Sequence, residues 1–520
     1  MTVAEMATAS AVLDRLSREV ASTREKGERF ERFVRAYLLQ GRHFGEDFFD
    51  AVWLWRDWPG RGNETDTGID LVARERETGR LWAIQAKYHE SPIGLADVAT
   101  FLANAARPEF DRLLLVTTAP LTKNAEEKVA QLGVTVLTIE DIVDSGIDFE
   151  RFSWSDPENI SYTRKVLRPY QQDAVHSVLA EFRTHDRGKL IMPPGSGKTF
   201  VALKIAERMA PQGYVLFLAP SIALVDQTLR AWTRDAEVPL RVYAVTSDRT
   251  VGRDEESIDR LTMLSYPATT DGRKLAEEAG KPSAAMTVIV ATYHSIDVIR
   301  EAQQNGLPAF DLIIADEAHR TAGVKKNGAD SYYTLVHDDE YVRGKKRLYM
   351  TATPRVFVDR VKKKLEQMQT EYYSMDDEAT YGPEFYRLGF GQAVEYGFLS
   401  DYKVILLTVP EKYIQVSLAE YLNRDDTPTV EDATRIIGTW RALSGYVRGG
   451  NVPPAKRAVV FAGSAIRHSK EFSEKFTATV EAFAERAGES TRKFSVEHVD
   501  GTMTATERKK HLDWLRAEPE

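Results

Sequence analysis

The N-terminal part of the chain places its apolar residues in two different periods. Phe30, Phe33, Val34, Tyr37 and Leu38 recur at helical spacing, which predicts one apolar face of a helix from about residue 8 to 40. Shorter apolar runs bounded by turn residues predict strands at Ala51–Trp55, Ile69–Ala73, Leu81–Ala86, Leu113–Thr117 and Val134–Leu137, with helices at Leu95–Ala106, Ala125–Leu132 and Glu140–Val143. This order of elements predicts a compact α/β domain.

Apolar strands that alternate with helical patterns dominate the middle of the chain. The strands are predicted at Tyr214–Leu218, Val288–Ala291, Leu312–Ala315 and Lys346–Met350. Near-continuous apolar strands alternating with helices are typical of a parallel sheet covered on both faces. A second unit of this kind is expected from Tyr381 onwards, with strands at Val404–Val409 and Ala458–Phe461.

These patterns divide the chain into parts. A polar stretch containing Pro157 predicts a linker, and residues 247–285 are predicted to be a polar insertion to which no chemistry can be assigned. The predicted parts are an N-terminal helical extension (1–25), a first α/β domain (26–147), the linker (148–164), a parallel-sheet domain (165–375) and a second, truncated parallel-sheet domain (376–520).

Composition narrows the class of protein. The 520 residues include 43% hydrophobic and 28% charged side chains, which is typical of a globular chain with several cores. The absence of Cys excludes disulfides, Cys-ligated zinc and thiol catalysis. No apolar run approaches the ~20 residues that cross a bilayer, and the N-terminus is not a signal peptide. We therefore expect a cytoplasmic protein, and the net charge of −9 leaves room only for local basic grooves.

A glycine-rich segment after the first strand of the middle domain predicts a phosphate-binding loop. Its backbone N–H groups would surround a polyphosphate at a helix N-terminus, Lys198 would contact the β- and γ-phosphates, and the Thr199 hydroxyl would ligate Mg²⁺. Met192 stands where the usual pattern has Gly, and an ordinary turn with a surface Lys is the alternative. The expected ATP-binding residues of the loop are Gly195, Ser196, Gly197, Lys198 and Thr199.

Two acids follow the apolar strand Leu312–Ala315. Because ligands of parallel sheets gather at the carboxyl ends of strands, Asp316 is expected to hold Mg²⁺ through water and Glu317 to polarise the water that attacks ATP. The alternative is a simple helix N-cap. Upstream, the amide of Gln171 is expected to contact adenine, since it offers both a donor and an acceptor.

Hydroxyl and amide side chains at further strand ends suit contacts with DNA phosphates. The expected DNA-binding residues are Pro220, Ser221, Gln227, Thr292 and Ser295. Residues Thr351, Ala352 and Thr353 end the strand Lys346–Met350, and they are expected to couple nucleotide state to the neighbouring domain.

Six segments resemble, in order, the motifs of superfamily-two helicases and translocases. They are Gln171, the phosphate loop, Pro220–Gln227, Thr292–Ser295, the DEAH sequence ending at His319, and Thr351–Thr353. The resemblance implies RecA-like domains, ATP and Mg²⁺ as cofactors, and His319 as part of the ATP site. Ala462–Ser464 and His498–Met503 resemble the opening motifs of a second RecA-like domain. The later motif that supplies an arginine finger is not found before Glu520, so this piece is expected to be the front part of a longer protein and to hydrolyse ATP poorly alone.

Polar side chains at two strand ends of the first domain suit a second kind of chemistry. Asp70 lies in the segment Thr67–Asp70, and Gln85 and Lys87 share a face of the next strand. Asp70 and Gln85 could hold Mg²⁺, Lys87 could stabilise a pentacovalent phosphate, and Glu31 could add a carboxylate. A solvated Asp and a surface Lys are the alternative.

This set resembles the Mrr-like branch of the PD-(D/E)xK nuclease superfamily over about residues 26–145, with Gly27–Glu31, Gly68–Val72 and Ile84–Lys87 as its matching pieces. In that branch Gln replaces the usual acid before the Lys, and the resemblance implies that Asp70, Gln85 and Lys87 cut DNA with support from Glu31.

An Mrr-like nuclease ahead of such a motor resembles type ISP restriction–modification enzymes. The resemblance implies ATP-driven translocation on duplex DNA, nuclease cleavage, and methyltransferase and target-recognition domains later in the same longer polypeptide. The alternatives are a stand-alone repair or phage-defence helicase–nuclease, and a DNA-binding module that anchors an ATPase.

Overall fold

The computed structural model describes residues between 12 and 517, apart from internal segments of which the longest are 63–67, 154–160, 247–265, 325–331, 402–408 and 489–493. The chain forms two compact units, Met1–Ser400 and Asp401–Glu520. None of the helices in these described ranges is both long and apolar enough to cross a membrane.

The first part of the larger unit is a five-stranded mixed sheet flanked by helices. Its strands are β1 (Phe49–Leu54), β2 (Leu71–Glu75), β3 (Leu81–Lys87), β4 (Arg112–Thr117) and β5 (Thr135–Thr138), in that spatial order, and its helices are α1 (Thr23–Gln40), α2 (Leu95–Ala105), α3 (Lys123–Gln131) and α4 (Ile139–Val143). β1 to β3 pair antiparallel, whereas β3 to β5 pair parallel. The predicted order of elements is confirmed, with ends that differ by a few residues.

The first helix is shorter than the sequence pattern predicts. α1 begins at Thr23 because Ser22 is its N-cap, and the Ser22 hydroxyl accepts a hydrogen bond from the Glu25 amide at 3.4 Å. Ser22 has an extended backbone, so the predicted single helix over residues 8–40 is wrong. The apolar face is as expected, and Phe30, Phe33 and Val34 are fully buried.

The second part of the larger unit is an eight-stranded sheet in which every pair is parallel. Its strands are β6 (Arg187–Ile191), β7 (Tyr214–Ala219), β8 (Leu240–Val245), β9 (Ala268–Thr269), β10 (Met286–Thr292), β11 (Phe310–Ala315), β12 (Gly344–Thr351) and β13 (Glu384–Arg387). The spatial order is β9-β8-β10-β7-β11-β12-β6-β13. The main helices are α5 (Pro169–Glu181), α6 (Lys198–Met209), α7 (Ile222–Asp235), α8 (Gly272–Ala279), α9 (Ile296–Gln304), α10 (Asp359–Gln367) and α11 (Phe390–Glu395).

The pairing of the edge strand β13 places one domain boundary later in the chain than predicted. β13 pairs in parallel with β6, and the ring of Phe385 covers Gly188, where a Cβ would lie 2.1 Å from the ring. Burial against the larger sheet therefore holds residues 384–400 in the first unit. The predicted start of the second domain at residue 376 is wrong, since the second compact unit begins at Asp401.

The described residues of the second unit form helices and one short hairpin. The helices are α12 (Glu411–Ser417), α13 (Ala419–Leu422), α14 (Val430–Leu443), α15 (Ile466–Ala487) and α16 (Ala505–Arg516), and the hairpin pairs Tyr446–Val447 with Gly450–Asn451. Ile437, Trp440 and Phe483 belong to its core. Residues 458–461, predicted as a strand, have no strand structure, because none of the residues that the structure describes pairs with them and Phe461 is 92% exposed. The predicted strand at Val404–Val409 and the Ala462–Ser464 motif lie outside the described residues, except Val409.

Candidate functional sites

The glycine-rich segment forms a tight loop between β6 and α6. Gly195 and Gly197 have φ angles of 76° and 81°, a left-handed conformation that glycine adopts without steric cost. The backbone N–H and the hydroxyl of Ser196 both donate to the Pro193 carbonyl, at 3.3 and 2.6 Å. The loop therefore runs into the N-terminus of α6, where a helix dipole and free N–H groups favour a phosphate.

Met192 fits the loop because its side chain points into the core. It is completely buried within the main hydrophobic cluster, and its amide donates to the Thr351 carbonyl at 3.1 Å. The Lys198 ammonium donates to the Met192 carbonyl at 3.2 Å, which keeps the Lys side chain folded over the loop. A phosphate would replace a neutral acceptor with a charged one, and charge-assisted hydrogen bonds are the stronger kind.

Gln171 lies directly behind the phosphate loop. Its Oε1 accepts from the Arg168 amide and its Nε2 donates to the Ser196 carbonyl, both at 2.9 Å. A Cβ on Gly197 would lie 2.5 Å from this Nε2, so only glycine fits there. The amide of Gln171 thus connects the start of α5 to the loop, and its contact with adenine stays a prediction.

Sequence reasoning missed an aromatic layer next to Gln171. The Tyr170 hydroxyl donates to the Ser196 carbonyl at 3.0 Å, and its ring stacks on Phe398 with centroids 4.3 Å apart. Tyr396 lies parallel to Tyr170 at 6.2 Å and is 61% exposed. The position of Tyr170 beside Gln171 was the available signal, whereas the contact with residues 396–398 depends on the fold.

Asp316 stands at the end of β11, buried beside the loop. Its amide donates to the Leu218 carbonyl at 2.9 Å, while its Oδ1 is buried with no hydrogen-bond partner. Burial and then the neighbouring charge of Glu317 raise the pKa of Asp316 to about 6. A buried carboxylate oxygen without a partner fits a cation or a cation-bound water, as expected for Mg²⁺ bound to ATP.

Glu317 has the single positive φ angle of any non-glycine residue in the described ranges, at 47°. Such a backbone costs roughly 1 kcal/mol or more, and it is found mainly where function requires it. His319 Nδ1 lies 3.3 Å from the Glu317 carboxylate and 3.0 Å from the Thr351 hydroxyl. Burial lowers the pKa of His319, so a neutral ring connects Glu317 to the end of β12.

The predicted coupling residues lie at the end of β12 and directly after it. Thr351 is fully buried at the end of β12, and its Oγ1 accepts from the Thr353 amide at 3.2 Å. Ala352 is half-buried, and Thr353 is exposed. A change in the position of the His319 ring can therefore be transmitted to the exposed Thr353 through the side chain of Thr351.

The predicted DNA contacts divide into two groups. Ser221 is exposed and caps α7, with its hydroxyl accepting from the Leu224 amide at 3.4 Å, and Gln227 is exposed and Pro220 half-buried nearby. Thr292 and Ser295 are different, because both are buried and their hydroxyls hydrogen-bond to each other at 2.7 Å. Direct phosphate contact by Thr292 and Ser295 is thus excluded in this arrangement, since the hydroxyls stabilise the turn after β10.

The second candidate site lies at the start of β2 and the end of β3. The Asp70 Oδ2 accepts from the Ala86 amide at 2.8 Å, and the Asp70 backbone pairs with Ile84 and Trp55. Gln85 is buried, its Nε2 donates to the Gly68 carbonyl at 3.0 Å, and its Oε1 has no hydrogen-bond partner. Lys87 is half-buried at the last position of β3.

Glu31 approaches this site from α1. Burial and then the charge of Asp70 raise the pKa of Glu31 to about 7, while the Arg56 guanidinium opposes the rise. The structure therefore brings the predicted Glu31 and Asp70 within electrostatic reach of each other. Arg56 was not predicted, and it lies there because the Trp55 amide donates to the Asp70 carbonyl at 2.7 Å.

Both sites fit Mg²⁺ by the chemistry of their donors. The described residues contain no group of three or more His, Asp or Glu side chains that could hold a metal ion, so each site would combine carboxylate and neutral oxygens. In the first site the oxygens would come from the Asp316 carboxylate and the Thr199 hydroxyl. In the second site they would come from the Asp70 and Glu31 carboxylates and from the unpartnered Gln85 Oε1. Bound Mg²⁺ would supply neutralisation of the phosphate charge.

Comparison with known families agrees with this architecture. Residues 44–159 match the restriction endonuclease family model, and residues 164–356 match the model of the type III restriction enzyme res subunit. The chain therefore joins a restriction endonuclease domain to a helicase-like ATPase domain, as the motifs predicted.

Among solved structures, the chain matches the ATP-dependent type ISP restriction–modification enzyme LlaBIII bound to DNA. The TM-score is 0.74 and the identity 35%, over 97% of this chain and 33% of LlaBIII. A probable helicase of African swine fever virus is 27% identical over 58% of this chain and 30% of its own length. The endonuclease subunit of the type I restriction enzyme EcoAI of Escherichia coli is 24% identical over 57% of this chain and 32% of the subunit. The chain thus spans about a third of the length of these relatives.

Proposed function

We propose that the protein is an ATP-dependent restriction enzyme of the type ISP kind, which translocates on double-stranded DNA and cuts it. The observation that carries the proposal is that one compact unit contains both a phosphate loop facing Asp316 and an Mrr-like site at Asp70. The DNA in the LlaBIII structure supports DNA as the substrate.

The helicase-like half binds and hydrolyses ATP in this proposal. The loop amides and Lys198 hold the β- and γ-phosphates, and Thr199 and Asp316 are the ligands for Mg²⁺. Glu317 orients the attacking water, and its strained backbone sets the position of its carboxylate. His319 and Thr351 then transmit the loss of the γ-phosphate to exposed residues after β12.

The endonuclease half cuts the DNA backbone. Asp70 and the free Gln85 Oε1, with Glu31 in its ionised form, hold the cation, and Lys87 stabilises the charge that develops on the scissile phosphate. Arg56, exposed beside Asp70, adds a positive charge that favours the phosphodiester. Because the pKa of Glu31 is about 7, the site is fully ionised only in alkaline solution or when a cation is bound.

Two substitutions in the full-length protein test this proposal. Lys198→Ala should stop both DNA-stimulated ATP turnover and cleavage, since translocation needs hydrolysis. Asp70→Ala should abolish cleavage of a circular plasmid and leave ATP turnover within about twofold, because it removes only a ligand of the nuclease site. Cleavage retained by Asp70→Ala would remove the nuclease assignment. An exposed acid of the second unit provides the matched control, Glu420→Gln.

The remaining expectations stay predictions. They are the methyltransferase and target-recognition domains in the same polypeptide, the cytoplasmic location, and the contact between DNA and residues Pro220, Ser221 and Gln227. Weak ATP turnover by the 520-residue piece alone, for lack of an arginine finger, is also still a prediction.

A further inference from the structure

Residues Tyr266–Ala285, here named the docking segment, lie against the endonuclease domain. They are the described part of the polar insertion that sequence reasoning left without a role, and they contain β9 and α8. The segment belongs to the helicase-like domain by chain order and by the parallel pairing of β9 with β8. Its contacts with the other domain therefore join the two halves of the enzyme.

Glu278 on α8 forms ion pairs with two arginines of the endonuclease domain. Its Oε1 lies 3.0 Å from the Arg80 guanidinium, and its Oε2 lies 3.5 Å from that of Arg112. The Glu278 side chain is only 13% exposed, and the arginines are 28% and 24% exposed. Without this carboxylate, two positive charges would face each other in a partly buried interface, which is strongly unfavourable.

The apolar residues of the same interface belong to one hydrophobic cluster that includes both domains. The Tyr266 ring stacks on His43 with centroids 4.7 Å apart, and its hydroxyl donates to the His43 carbonyl. Phe44 and Trp82 of the endonuclease domain belong to the same hydrophobic cluster as Tyr266 and Leu240 of the helicase-like domain. Domains move relative to each other unless their interface is large and hydrophobic, and this interface shares a core.

Two further polar contacts lie beside this core. Arg230 on α7 pairs with Asp141 on α4, whose carboxylate is buried, and the Ser283 hydroxyl donates to Glu77 Oε1 at 3.2 Å. The contacts come from α7, α8 and the residues after it. Separation of the domains would have to break charged and apolar contacts together.

We propose that the docking segment holds the endonuclease domain on the helicase-like domain as one rigid body, so that the nuclease cuts at a fixed distance from the motor. This rests on the proposed function, because a fixed distance matters only to an enzyme that moves on DNA. Glu278 is a positioning residue in this scheme, and it contacts neither ATP nor the nuclease site.

Charge reversal tests the ion pairs in the full-length protein. Glu278→Arg should lower ATP-dependent cleavage about tenfold and scatter the cut positions, with DNA-stimulated ATP turnover within about twofold. Adding Arg80→Glu and Arg112→Glu should restore cleavage. Glu277→Arg, on the exposed side of the same helix, is the matched control. Glu278→Gln serves as a milder second variant if the reversed charge prevents folding.

A cross-link measures docking without reference to activity. The 520 residues contain no Cys, so Glu77→Cys with Ser283→Cys introduces one pair within them that a short bismaleimide can join across the interface. The cross-link should form readily, preserve ATP-dependent cleavage, and form about tenfold more slowly in the Glu278→Arg background.

Two results would overturn the inference. One is a cross-linked protein that hydrolyses ATP but no longer cuts, since the nuclease would then have to move. The other is Glu278→Arg with unchanged cross-linking and cleavage. If the unmodified protein does not cut DNA with ATP, the proposed function fails, and the cross-linking rates still decide whether the domains are docked.

Discussion

Asp316 offers a prediction in which stability and function change in opposite directions. Its carboxylate is buried, one oxygen has no hydrogen-bond partner, and Glu317 stands next to it. Without ATP and Mg²⁺ this charge destabilises the folded state, because burial and the neighbouring negative charge both oppose ionisation. Asp316→Asn removes the charge and keeps the shape, so it should stabilise the nucleotide-free protein.

The magnitude follows from the pKa. A rise from 3.8 to about 6 is about 2.2 pKa units, which at about 1.36 kcal/mol each gives a penalty of about 3 kcal/mol. The folded state holds the proton more tightly than the unfolded state, so the penalty is absent below pH 3.8 and grows until about pH 6. By the same relation the penalty is about 1.6 kcal/mol at about pH 5, roughly half of its value at about pH 8.

Urea unfolding followed by tryptophan fluorescence measures this difference. The advantage of Asp316→Asn over the unmodified protein should grow by about 1.4 kcal/mol between about pH 5 and pH 8. Effects of the amide itself do not depend on pH and cancel in this comparison. Glu340→Gln removes an exposed carboxylate from the same unit and controls for net charge. An advantage that is constant or shrinks with rising pH would show that the Asp316 carboxylate is not destabilising when it is ionised.

ATP with Mg²⁺ should cancel most of this advantage at pH 8. A ligand at about a hundred times its Kd stabilises the folded state by about 2.7 kcal/mol, and the unmodified protein should gain this amount. Asp316→Asn lacks the carboxylate that the cation requires, so it should gain much less. Equal stabilisation of both proteins by ATP and Mg²⁺ would show that Asp316 is not a ligand.

Three further predictions concern other residues. Glu317→Gln should bind a fluorescent ATP analogue normally yet release phosphate at least about a hundredfold more slowly, since it loses the base. At limiting Mg²⁺, plasmid cleavage should fall as pH drops below about 7 and Glu31 gains a proton, and Glu31→Gln should lack this step across a pH series. Met192→Gly restores the usual loop pattern but empties a core position, so urea unfolding should show a loss of about 2–4 kcal/mol; unchanged stability would contradict the buried placement.

Local patterns sufficed for the sites whose residues are close in sequence. The segment from Gly195 to Thr199 and the pair Asp316 and Glu317 follow apolar strands, and the carboxyl ends of parallel strands meet at one edge of a sheet. Asp70 and Gln85 were predictable for a similar reason, because β2 and β3 are neighbours joined by a short turn.

The failures have physical causes that no local pattern contains. Helical periodicity continues through Ser22, yet α1 begins only after this residue, since the Ser22 hydroxyl caps the helix N-terminus by accepting from the Glu25 amide. The hydroxyls of Thr292 and Ser295 pair with each other once the turn is buried. Residues 384–400 join the first unit because β6 offers them an open edge.

The chemistry of this protein is readable from residue types and their order, since the side chains at strand ends decide which phosphates and cations can bind. How the two chemistries are joined depends on long-range packing. Glu278 pairs with Arg80 and Arg112 across 198 and 166 positions of the chain, and Tyr266 contacts His43 from a segment without a recognisable motif. Such contacts depend on how two folded surfaces pack, because long-range pairing is set by shape and burial and not by local spacing.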